Sequence, residues 1–178
     1  ATQMLKAKVS KTGYENTDKS AEDLQNAIDK LAGKKSTVFK DARESKDTSK
    51  VTAAAQELID KYNSLVKVMS KMSSSLDEFY KKALKGLPES IKESLEKVGI
   101  TYNSDGTLEV DSDKLKKADV DSLEKIFGSD SEFMKKLSFV TDRIESNAEA
   151  NLQSVSSTYS STADIMSSFN SSKYDFLG

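Results

Sequence analysis

Four aspartates, Asp111, Asp113, Asp119 and Asp121, are the first residues whose type and spacing suggest chemistry. Paired carboxylates can divide general acid and general base roles between them. That division needs a neighbour to push their pKa values apart, and no histidine or basic pocket accompanies these four. Asp111 (or Ser112 beside it) and Asp121 stand where helical patterns begin, and a carboxylate there accepts the free N–H groups of a first turn. They read as helix caps.

A second group, Asn103, Asp105, Gly106 and Leu108, matches the middle of a calcium-binding loop. The loop's first position falls on Thr101 and its twelfth on Ser112, so the carboxylates that carry the metal's charge are missing. A tight turn accounts for the same residues. Serine and lysine are abundant, yet neither a G-x-S-x-G elbow nor an S-x-x-K with its partner motifs is present. The chain has no cysteine and no histidine, which removes thiolate chemistry, zinc–cysteine sites and the commonest general base. No catalytic, cofactor-binding or metal-ligating residue is expected, and the chain reads as non-enzymatic.

Composition points the same way. Of 178 residues, 36% are hydrophobic and 31% charged, with one proline and seven glycines, which suits long amphipathic helices around a thin apolar seam. The 27 basic and 29 acidic residues are interspersed, leaving no basic field for nucleic acid. Apolar runs are far too short for a membrane span, and no cleavable secretory signal is visible in the first twenty residues.

The stretch 99–111 breaks the helical pattern. Gly99-Ile100-Thr101-Tyr102 and Thr107-Leu108-Glu109-Val110 are β-prone runs, and Asn103-Ser104-Asp105-Gly106 is a turn between them. Helical periodicity surrounds this hairpin. Residues 1–13 form a mildly amphipathic start, 13–19 read as a turn, and Ser20 caps a helix carrying Leu24, Ala27, Ile28 and Leu31. Residues 34–49 read as a solvated linker or surface helix. From Val51 to Leu87 an apolar stripe steps at 3.6 residues, with Ser73-Ser74-Ser75 as its weak point. Pro88 opens a helix with Ile91, Leu95 and Val98 as its buried face. Asp121 caps a short helix with Glu124 in the capping-box position, and Ser129 with Glu132 opens the last long one. That helix carries Phe133, Leu137, Val140, Ile144, Ala148, Leu152, Val155, Tyr159, Ala163 and Met166, and turns serine-rich in its second half.

The expected fold is therefore mostly α: an elongated antiparallel long-helix, coiled-coil-like bundle with a small β-hairpin at the turn. Residues 1–50 form an N-terminal helical or linker segment, and 51–178 a long-helix pair with the hairpin inserted at 99–111.

The order of Tyr62-Asn63-Ser64-Leu65, Gly99-Ile100-Thr101, Asp105-Gly106-Thr107-Leu108, Asp111, Leu115, Leu123 and Ile126-Phe127 resembles the C-terminal region of the bacterial flagellar filament cap family, hook-associated protein 2. The resemblance covers about residues 51–169. It implies a secreted structural protein of the flagellum, exported without a cleavable signal, that self-associates and meets flagellin or other hook-associated proteins at the filament tip. Assembly is expected through the terminal helices, at Leu152, Val155, Tyr159, Ile165, Met166 and Phe169, with Leu5 and Val9 at the other terminus. A second expectation, from a different class, is a cytoplasmic helical secretion chaperone or adaptor that holds one partner along an apolar groove.

Overall fold

Apolar residues at steps of three and four run through most of the chain, and the fold buries those stripes against one another. The computed structural model describes the backbone of residues 2–177 and the side chains of residues 10–155. The elements are α1 (Thr2–Ala32), α2 (Val38–Ser45), α3 (Ser49–Met69), α4 (Ser75–Ser90), α5 (Lys92–Lys97), β1 (Ile100–Tyr102), β2 (Leu108–Val110), α6 (Ser112–Lys117), α7 (Val120–Phe127) and α8 (Glu132–Leu177).

Four helices build the long body. α1 runs antiparallel to α3, with Lys30 paired to Glu57 at 2.9 Å near one end. It also runs antiparallel to α8: the Gln25 amide donates to the Ser138 carbonyl at 2.7 Å, and Tyr14 meets Ala148 further along. α4 descends beside α8, with Asp77 at Asn147 and Ile91 beside Phe133. The expected single stripe from Val51 to Leu87 is thus two helices that reverse at the serines. Ser74 adopts an extended backbone and its hydroxyl accepts the Asp77 N–H, so the weak point becomes a helix cap. As a result α8 packs mainly on α1, and only the α4 half of the stripe faces it antiparallel.

The mostly α architecture with a small hairpin is as the sequence implies, but several boundaries differ. Residues 13–19 are not a turn; α1 is continuous from Thr2 to Ala32. Tyr14 and Thr17 are buried there, and Gly13 lets Met72 approach, since a Cβ at that position would lie 2.7 Å from the Met72 sulfur. Residues 38–45 are helical because Phe39 and Ala42 bury against the main core. Pro88 lies inside α4 rather than opening the next helix, and the break falls at Ile91. α7 is capped by Asp119 rather than Asp121, and α8 by Ser131 rather than Ser129.

One core links these pieces, from Leu24, Ile28 and Leu31 of α1 through Leu58, Tyr62 and Leu65 of α3 to Phe127, Leu137 and Ile144. Burying each such side chain contributes about 1.5–3 kcal/mol. One core position is mismatched. Thr141 is fully buried on α8, and its hydroxyl finds no hydrogen-bond partner among the described residues. Thr141→Val should therefore raise stability by about 1 kcal/mol, because it removes an unpaired polar atom at little change of volume. Urea unfolding midpoints would show the gain, and an unchanged or lower midpoint would contradict it.

Candidate assembly interface

Local sequence makes the hairpin, and α3 holds it. β1 and β2 pair with Ile100 opposite Val110 and Tyr102 opposite Leu108. The Gly106 N–H donates to the Asn103 carbonyl at 3.0 Å, and Gly106 takes φ +89°, a region open to glycine. A Cβ there would also collide with the Lys85 side chain from α4. The Asp105 carboxylate accepts both the Thr107 N–H and hydroxyl, which hold its pKa below the usual carboxylate range. The residues that resemble a calcium loop thus form the turn itself.

Bonds at Gly99–Asp111 and Asn103–Thr107 set the ladder's phase, so the polar groups of Leu108 point away from β1. Asn63 meets them. Its Nδ2 donates to the Leu108 carbonyl at 2.8 Å, and its Oδ1 accepts the Leu108 N–H at 2.8 Å. Tyr62, the preceding residue, is buried in the core, and its hydroxyl donates to the Gly106 carbonyl at 2.7 Å. Burial, then the nearby Tyr102 and Asp105, push that phenol's pKa up, so it stays a donor. Two adjacent helical residues therefore hold the hairpin's turn and its second strand.

The opposite end of the body is tied at Asp77, which is buried in the first turn of α4. Its carboxylate accepts from Ser74 at 2.6 Å, from the Tyr14 hydroxyl of α1 at 3.3 Å and from Asn147 of α8 at 3.3 Å. Burial and then the Asp77 charge raise the Tyr14 pKa. Tyr14, Met72 and Ala148 form a small apolar cluster with Leu152 packed against it. Of the residues expected to mediate assembly, Leu152 and Val155 are thus half-buried. The side chains of Leu5, Val9, Tyr159, Ile165, Met166 and Phe169 lie outside the described residues.

The four aspartates do not converge on one site. Asp111 and Asp119 cap α6 and α7, and Asp113 lies in the first turn of α6. Asp121, with Glu124, binds Arg43 of α2 at 2.7–3.1 Å, and the Glu124 bonds and then Asp121 hold the guanidinium firmly charged. A different group of carboxylates does converge. Asp18 of α1 and Glu145 and Glu149 of α8 bring oxygens within 4.8 Å of one another. Burial, then Glu149, Asp18, Glu22 and Asp142, push the Glu145 pKa up. No local pattern marks this group, because its members lie on two helices far apart in the chain.

The hairpin geometry joins the very motifs whose order suggested a family. Residues 85–176, from the end of α4 through α8, match the family described as flagellar hook-associated protein 2 C-terminus. The chain belongs to this family. No curated protein and no solved structure matches. Membership makes the chain a structural component of the bacterial flagellum, of the hook-associated, cap-forming kind. Tyr62 and Asn63 precede the matched span yet hold its hairpin, so α3 is tied to the family region. Among the described residues no helix is long and apolar enough to cross a membrane.

Asn63→Leu should cost about 2–3 kcal/mol, because it leaves both polar groups of Leu108 without their partner, and Tyr62→Phe about 1 kcal/mol. Urea unfolding of the two variants would test this. A loss below about 0.5 kcal/mol for Asn63→Leu would show that water replaces the amide at no cost.

Proposed function

We propose that this chain is the helical leg of a flagellar cap, which works at the filament tip by self-association and by contact with flagellin or other hook-associated subunits. Export without a cleavable signal, through the flagellar secretion channel, belongs to the same reading. The observation that carries it is the family match across the hairpin and α8. Helix length supports it: α8 runs for 46 residues, and its last stretch lies in the serine-rich part of the sequence. The sequence of that last stretch keeps an apolar stripe at helical spacing through Tyr159, Ile165, Met166 and Phe169. Serine fills many of the other positions and is a weak helix former, so packing against neighbours would have to stabilise the helix.

The mechanism is burial of that stripe, with Leu5 and Val9, against other helices. The binding energy lies in apolar area and helix–helix packing. Replacing Tyr159 and Met166 together with aspartate should abolish self-association while leaving the helical content and the hairpin unchanged. Sedimentation velocity over a wide concentration range would show discrete oligomers for the natural sequence and a monomer for the variant. Unchanged sedimentation of the variant would contradict the assignment.

A further inference from the structure

Among the described residues three large apolar side chains stand out in solvent: Leu76, 47% exposed, Phe79, 64%, and Phe139, 62%. Leu76 and Phe79 lie on α4 and Phe139 on α8, two helices packed side by side and antiparallel. The buried positions of α4, Asp77, Leu84 and Pro88, turn Leu76, Phe79 and Ala83 to its outer edge. The buried positions of α8, Leu137, Thr141 and Ile144, likewise turn Lys136, Phe139 and Arg143 outward on the α4 side. The Arg143 guanidinium lies over the Phe139 ring, 5.2 Å from its centroid. This face is thus aromatic and basic, with Lys135 and Lys136 beside Phe139 and Glu132 paired to Lys135 at 3.6 Å.

The neighbouring side of α8 has the opposite character. Asp142, Glu145 and Glu149 lie there against Asp18 and Glu22 of α1. Bases of α1 nearby pair along their own helix, Lys11 with Glu15 at 3.9 Å and Lys19 with Asp23 at 3.3 Å. The five carboxylates crowd one another, and a cation supplied from outside would relieve them.

We infer that the aromatic–basic face of α4 and α8 docks on the acidic groove between α1 and α8 of a second copy of this chain. Arg143 and Lys136 would approach Glu145 and Glu149, while Phe139 and Phe79 lose their exposure to water. Such a contact joins two different faces, so each copy keeps one of each free, and repetition yields a ring or a helical array. The contact rests on the assembly reading above, but it uses other residues than the terminal stripe. Aromatic and arginine side chains are the ones that concentrate energy at interfaces, and complementary charge fixes register.

The test uses two variants of the full chain. One carries Phe139→Ser with Arg143→Ser and the other Glu145→Gln with Glu149→Gln; all four positions lie outside the buried core, and circular dichroism checks that both fold. Each variant alone should associate at least about tenfold more weakly than the natural sequence, in sedimentation velocity at low salt. Mixed, they should form complexes that neither variant forms alone, because one competent pair of these faces remains between them. Association of either variant at natural strength would overturn the inference, as would a mixture that forms no more complex than the variants apart. If these variants associate normally while the Tyr159 and Met166 double variant does not, the terminal stripe carries assembly and only this inference falls. If the natural sequence stays monomeric throughout, both fall.

Discussion

A hairpin with strands of three residues cannot hold itself together in water, and everything distinctive in this chain depends on what holds this one. Such a ribbon has too little area for a core of its own. Asn63 solves the problem by presenting its side-chain amide to Leu108 as a neighbouring strand would present a peptide group. Tyr62 adds a buried hydroxyl to the turn carbonyl one residue earlier on the helix. The hairpin in turn links α5 to α6 and through it leads the chain on to α7 and α8. The same three bonds therefore join α3 to the family region.

The other end depends on a polar knot of similar economy. Asp77 accepts from Ser74, the cap of its own helix, and also from α1 and α8, so one buried carboxylate ties three helices together. Between the two ends the body is ordinary helix packing. A long helical body fastened at both ends suits a structural part of a flagellum, where stiffness along the body and exposed side faces are both useful. The chemistry of such a protein lies in which faces it leaves uncovered.

Much of this was legible in the chain itself. The hairpin was read from Asp105-Gly106 between alternating runs, and the helical faces from their spacing, because both signals are local. Fold-back at Ser73–Ser75 was visible only as a weakness, since the cap at Ser74 gains its worth from Asp77 meeting Tyr14 and Asn147, which are distant in sequence. The turn expected at 13–19 failed for a related reason: polar residues there are helical because Tyr14 and Thr17 find burial against other elements. Cap positions slipped by two residues at Asp119 and Ser131, where several capping residues stand close together. Asn63 looked like a polar residue on a helix, and nothing within α3 reveals that its amide meets a strand 45 residues away. The family, by contrast, was readable from motif order, because the motifs are the parts that touch.

Native-state hydrogen exchange at the Leu108 amide, compared with the buried amides of α3, is the most direct measurement of this account. If Asn63 and Tyr62 make the hairpin part of one cooperative unit with α3, Leu108 exchanges only with the same large-scale opening that exposes α3. Rapid exchange of Leu108 while α3 stays protected would mean that the hairpin opens alone, and that the Asn63 bond does not join the two halves of the chain.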